Sequence, residues 1–148
     1  MTLLSGYRPL VVLALLALAV AIVVARWQTG SAPNISGAQA AGCSQVAAAF
    51  HSHVSDRWVS LSARVSRLLP DDTVGLAHQR FIVRCTSGQT VLIVNDVTLG
   101  ERAPVRVGEK TAIRGEYVWN SQGGLVHFTH HAQGGPGGWI EVGGRTYQ

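Results

Sequence analysis

His78-Gln79-Arg80-Phe81-Ile82-Val83-Arg84-Cys85, a Ser87-Gly88 turn, and Gln89-Thr90-Val91-Leu92-Ile93-Val94-Asn95 form two runs joined by a tight turn. Both runs are short, rich in β-branched and apolar residues, and bounded by turn formers, which is how strands read. Side chains two apart on a strand share a face. Phe81, Val83 and Cys85 therefore face a core, while His78, Arg80 and Arg84 share the opposite face with Ile82.

The same period extends in both directions. Trp58 to Val65 alternates as a strand, and Pro70-Asp71-Asp72-Thr73-Val74-Gly75 carries turn chemistry. Residues 96–109 form a longer connection containing Pro104 and Gly108. A fourth strand is expected from Lys110 to Trp119, a hairpin loop at Asn120-Ser121-Gln122-Gly123-Gly124, and a fifth strand from Leu125 to His131. After a Gly-Pro-Gly-Gly break come two short strands, Trp139 to Val142 and Arg145 to Gln148. Ahead of all these, residues 41–53 place Val46, Ala49, Phe50 and His53 at helical spacing. One helix followed by five or six short strands predicts a mainly β domain. The expected form is a small OB-like barrel of five to six strands with one N-terminal helix; a two-sheet sandwich is the alternative.

The N-terminus reads differently. Leu10 to Val24 holds no polar side chain, and Arg8 and Arg26 bracket it. A spanning helix needs ~20 apolar residues and a signal-peptide core roughly 7–15. The run lies between these lengths. Residues 1–26 are accordingly expected to be a signal peptide or a signal anchor, 27–40 a linker, and 41–148 an exported β domain. The anchor form would hold the membrane through residues 9–25. The expected location is outside the cytoplasm: periplasmic, cell-surface or secreted. Cys43 and Cys85 are the two cysteines, and an oxidising compartment allows them one disulfide between helix and sheet.

The chain has 148 residues and a formal net charge of +4. Arg8 and Arg26 supply half of that charge, so net charge gives no argument for nucleic-acid binding. Lys110 is the only lysine; the arginines suit bidentate contact with phosphate or carboxylate. No phosphate-cradling glycine loop, nucleophile elbow or paired-cysteine zinc motif is present.

The informative polar residues fall on strands. His127, His130 and His131 lie close together near the end of the fifth strand, and imidazole serves as metal ligand or general base near neutral pH. His127 and His131 would lie about 13 Å apart on an extended strand, with His130 pointing the other way, so one metal cannot take both unless the strand bends. A divalent metal would need Asp96, His130 or other groups such as His78 and Glu116 from separate strands. His78 and Arg80 pair a base with a cation on one face, suited to a phosphate or carboxylate ligand. Tyr117, Trp119 and Trp139 could stack a base or a sugar.

Several runs together resemble an exported bacterial family of unknown function, numbered thirty-four sixty-five. They are Leu69-Pro70-Asp71-Asp72, Gly75, His78 to Val83, Gly115-Glu116-Tyr117-Val118-Trp119-Asn120, Gly123-Gly124, His127-Phe128-Thr129-His130-His131, Gly138-Trp139 and Tyr147-Gln148. The resemblance implies an OB-like exported domain with no settled activity. It also implies a further histidine shortly before the Gly-Trp pair, where this chain has Gly134-Gly135-Pro136-Gly137.

The functional expectation is an exported domain that binds an anionic ligand, nucleic acid or another phosphodiester, with histidine-dependent hydrolysis as its catalytic form. His78 or His127 would be the base, Arg80 would meet the phosphate, and Glu116 or Asp96 would orient a water or a divalent ion. Asn95, Tyr117, Trp119, Asn120, His131 and Trp139 would contact the ligand. A non-catalytic module of the cell envelope and a metal-binding protein are the alternatives. No protein partner can be inferred.

Overall fold

The computed structural model describes residues 35–148 apart from 136, with side chains described from residue 41 onward. The expected signal or anchor segment and residues 27–34 of the linker lie outside the described residues. Among the described residues no helix is long and apolar enough to cross a membrane.

Helix α1 spans Ile35–His51. It takes in the last six residues expected to be linker, because Ala38-Gln39-Ala40-Ala41 continues the strong helix formers backward. Strands follow at β1 (Arg57–Leu68), β2 (His78–Arg84), β3 (Thr90–Asp96), β4 (Lys110–Val118), β5 (Leu125–His127), β6 (Trp139–Val142) and β7 (Arg145–Tyr147). The sheet runs β1-β2-β3-β5-β4, and β4 pairs back with β1, closing a five-stranded barrel. β3 and β5 pair in parallel; the other neighbours in the barrel are antiparallel. β6 adds to the first half of β4 and β7 to β6, so the last two strands extend the sheet outside the ring.

Alternation gives the barrel its inside. Leu61, Val65, Phe81, Ile93, Ile113 and Val126 are fully or almost fully buried, and each lies between outward-facing neighbours. Cys43, Val46 and Ala49 of α1 join this core. Gly42 lies so close to the Ser60 carbonyl and the Leu61 Cα that a Cβ would have no room. Cys43 and Cys85 form a disulfide across a Cα–Cα distance of 6.0 Å, tying α1 to the end of β2.

One expected element is cut short. The fifth strand ends at His127, because Phe128 has φ of 50°, a left-handed conformation that a bulky side chain rarely adopts. A Cβ on Gly115 would strike the His127 carbonyl, and one on Gly138 would strike the Phe128 carbonyl. Two glycines thus admit a chain that bends sharply between them. His127, Thr129 and His131 therefore do not share a strand face as alternation predicts.

Candidate binding site

The register places the polar residues on the outer surface of the barrel. Across β1 and β4, Trp58 is opposite Glu116 and Ser60 opposite Arg114. Glu116 is in turn opposite His127 on β5. Across β2 and β3, His78 is opposite Asp96 and Arg80 opposite Val94. Continuing the parallel β3–β5 register by one residue sets His127 beside Val94. Arg80, Val94, His127, Glu116 and Trp58 thus form one row around the barrel. Arg80 and His127 are two strand spacings apart, about 10 Å or more.

Two histidine–carboxylate pairs result. His127 Nε2 lies 3.2 Å from Glu116 Oε2, and His78 Nε2 lies 3.9 Å from Asp96 Oδ2. The closer pair is geometrically unusual. His127 Nε2 is buried, yet its approach to Glu116 is off the line of a hydrogen bond, leaving the nitrogen without an aligned partner among the described residues. Proximity without alignment is an electrostatic contact, and it leaves the nitrogen's hydrogen-bonding capacity unused.

Phe128 packs against the histidine of this pair. Its ring stacks on His127 with centroids 3.9 Å apart and meets His130 edge-on at 6.1 Å. It is nonetheless 47% exposed, which is unusual for a large apolar side chain held in a strained backbone. On its free side is a groove of about 590 Å³ lined by Trp58, Leu99, Phe128, His130 and His131. The Arg114 guanidinium lies 5.4 Å from the centre of the Trp58 ring and donates to Ser60 Oγ at 3.3 Å. Trp139 on β6 is directly opposite Arg114. An apolar groove with aromatic walls, one backed by Arg114 against Trp58 and the other by His127 against Phe128, can take a planar ring carrying negative charge.

A buried polar network lies inside the barrel mouth. Gln79 Nε2 donates to Ala103 O at 2.7 Å and Gln79 Oε1 accepts from Ala103 N at 3.1 Å. Asn95 Nδ2 donates to Gln79 Oε1 and to Glu101 O, and Asn95 Oδ1 accepts from Thr129 Oγ1 at 2.9 Å. The network pins both the connection after β3 and the bend after Phe128 to the barrel.

Several sequence-expected residues make contacts within the fold. Asn95 is 1% exposed and spent on that network. Tyr117 is fully buried and donates to Gly123 O at 3.3 Å; burial pushes its hydroxyl above the ordinary phenol range. Trp119 packs on His53 and donates from Nε1 to Phe50 O, joining the end of α1 to β4. Asn120 Oδ1 accepts from the backbone of Gln122 and Gly124, shaping the hairpin loop. Arg80 Nε donates to Pro70 O at 3.0 Å, which holds the loop after β1. Asp96 Oδ1 accepts from Thr98 N and Leu99 N, and His130 Nδ1 donates to His131 O at 2.9 Å. Among the described residues no three His, Cys, Asp or Glu side chains gather as a metal site would require. Of the expected groups, the structure brings together Glu116 and His127, puts His131 on the groove they adjoin and Trp139 opposite Arg114, and keeps His78 with Asp96.

Trp58, Arg114 and Phe128 were not expected at a site. Trp58 was legible: it alternates with buried Val59 and shares its face with Ser60 and Ser62. Arg114 shares a strand face with Glu116. Phe128 was not, because regular alternation assigns it to the core beside Val126.

A closed five-stranded β-barrel with a helix at its start, a two-stranded extension and an aromatic groove beside a His–Glu pair defines a small β-barrel domain protein. The chain belongs to the family described as "Protein of unknown function (DUF3465)", which matches residues 32–148. No curated protein matches it.

Proposed function

We propose that the domain works outside the cytoplasm and binds a single-stranded nucleic acid or related phosphodiester on the outer face of β1, β4 and β5. The observation that carries the reading is the groove itself. Trp58 and the exposed, left-handed Phe128 both line it, with Arg114 against the Trp58 ring and His127, paired to Glu116, against the Phe128 ring. Aromatic rings with a neighbouring arginine are how barrels of this kind hold single strands. The strand order, with β1 pairing both β2 and β4, is that of an OB-like barrel, and such barrels often carry oligonucleotides or oligosaccharides. The disulfide supports an oxidising compartment and hence export.

Hydrolysis is a second reading, favoured by one observation. His127 Nε2 is close to a carboxylate but has unused hydrogen-bonding capacity, as a proton-transfer group would.

The test is fluorescence anisotropy with labelled single-stranded DNA and RNA, with cleavage followed in the same samples. Phe128→Ala and Trp58→Ala should each weaken binding about tenfold, since base–aromatic stacking contributes ~1–3 kcal/mol. Cleavage abolished by His127→Ala would establish the hydrolytic reading. Retention of no nucleic acid at low salt would overturn the proposal.

A further inference from the structure

At the far end of β1 and β4 from the groove, three cations stand side by side. Arg64 is directly opposite Arg84 on β2 and directly opposite Lys110 on β4. All three are exposed and on the outer face. Strands lie ~4.8 Å apart, so the row runs about 10 Å across the barrel. Like charges directly opposite each other destabilise a sheet.

Among the described residues none of the three forms an ion pair. The ion pairs among the described residues are His78–Asp96, Arg102–Asp71, His127–Glu116 and Arg145–Glu101. Arg64 Nη1 donates to Gly108 O and Arg84 Nη1 to Gly88 O, both uncharged acceptors, which leaves most of each guanidinium's five donors unused. Glu109 accepts from Arg106 N. Glu141 and Lys110 line a small adjoining hollow without forming an ion pair. The three cations, with Ser62 and Thr86, line a cavity of about 370 Å³.

The register connects this row to the groove. Along β1 and β4 the outward pairs are Trp58–Glu116, Ser60–Arg114, Ser62–Ala112 and Arg64–Lys110. Six residues of strand separate the ends, about 20 Å. Between them on β1 and β4 are Ser60, Ser62, Ala112 and Arg114, with Glu141 and Trp139 of β6 beside Ala112 and Arg114.

The geometry points to a track for a single-stranded phosphodiester chain laid along β1 and β4. A base occupies the Trp58–Phe128 groove, and successive phosphates meet Arg114 and then the Arg64–Arg84–Lys110 row. This inference rests on the reading of the groove as a nucleic-acid site. It adds a direction and a footprint, within the ~4–16 nucleotides that one such barrel covers.

The test uses the full chain, extracted in mild detergent, with oligothymidylates of increasing length from two to sixteen nucleotides. Affinity should climb with length and then level off. An Arg64→Gln, Arg84→Gln, Lys110→Gln variant should lose the climb while still binding the dinucleotide. Its plot of log affinity against log salt should be shallower by about 2, since each phosphate contact to a single strand contributes about 0.7. Arg64→Lys with Arg84→Lys should keep the wild-type slope. Removing repulsion should not lower the melting temperature; should the triple variant fail to fold, Arg84→Gln alone should change the slope by about 0.7. Unchanged length and salt dependence in the glutamine variants would overturn the track and leave the groove reading standing. Binding by the row that Trp58→Ala and Phe128→Ala do not affect, or no oligonucleotide binding at all, would overturn both. Binding to vesicles containing phosphatidylglycerol, without binding to oligonucleotide, would overturn the track in favour of a membrane surface.

Discussion

Asn95 shows how one residue can look like a ligand contact and serve a different purpose. Asparagine at a strand end is a common turn former, and alternation alone does not say whether its amide faces inward. Here it sits inside the barrel mouth and is shared by Gln79, Glu101 and Thr129. Asn95→Leu would leave those partners buried and unpaired, at about 1–3 kcal/mol for an orphaned group. Urea unfolding should show a loss of roughly 2–3 kcal/mol. Tyr117 makes a comparable prediction against pH. Burial raises the pKa of its hydroxyl above the ordinary 10.0 of a free phenol. The unfolded chain therefore releases this proton at a lower pH than the folded one. The contribution is present below that value and is lost as pH rises past it. The alkaline decline in melting temperature above pH 10.0 should be shallower in Tyr117→Phe than in wild type.

Among the elements, α1 and its disulfide carry the largest expected effect. The helix contributes Cys43, Val46 and Ala49 to the core, and the bond closes a separation of 42 residues. Loop-closure entropy for that length is about 4 kcal/mol. That is a large share of the ~5–15 kcal/mol stability typical of a domain. The Cys43→Ser, Cys85→Ser double variant should melt roughly 15 °C below wild type by calorimetry. Most element positions were readable from alternation and turn residues, because a period of two with Gly, Asn and Asp between runs has few other meanings. The start of α1 was less so: Ile35 to Ala40 have the small, polar look of a linker, and only their continuity with Ala41 makes them helical. The end of β5 was not readable. It depends on Gly115 meeting the His127 carbonyl and Gly138 the Phe128 carbonyl, contacts between residues twelve and ten positions apart.

For the whole molecule, closure depends on β1 and β4, which pair over eight consecutive registers. Amides in those strands should exchange most slowly with deuterium and report the global unfolding energy, while those of β7, a three-residue edge strand, should exchange fastest. Comparable protection in β7 and β4 would contradict this account of the barrel. The barrel was legible in outline, since strand count, length and a missing helix between strands left few architectures. The candidate site was legible only in pieces. The sequence names Glu116, His127 and His131 but not their alliance with Trp58 and Arg114, because register between distant strands is a property of closure.

The Cys43–Cys85 bond also decides how the domain bears load. A pull on the chain ahead of Ile35 would otherwise peel α1 from the barrel one turn at a time. With the bond intact, tension leaves the helix at Cys43 and enters the end of β2 directly, bypassing β1. The segment between the two cysteines, which includes Trp58 and Arg64, is shielded from the force. Reduction would turn this stiff handle into one that yields gradually.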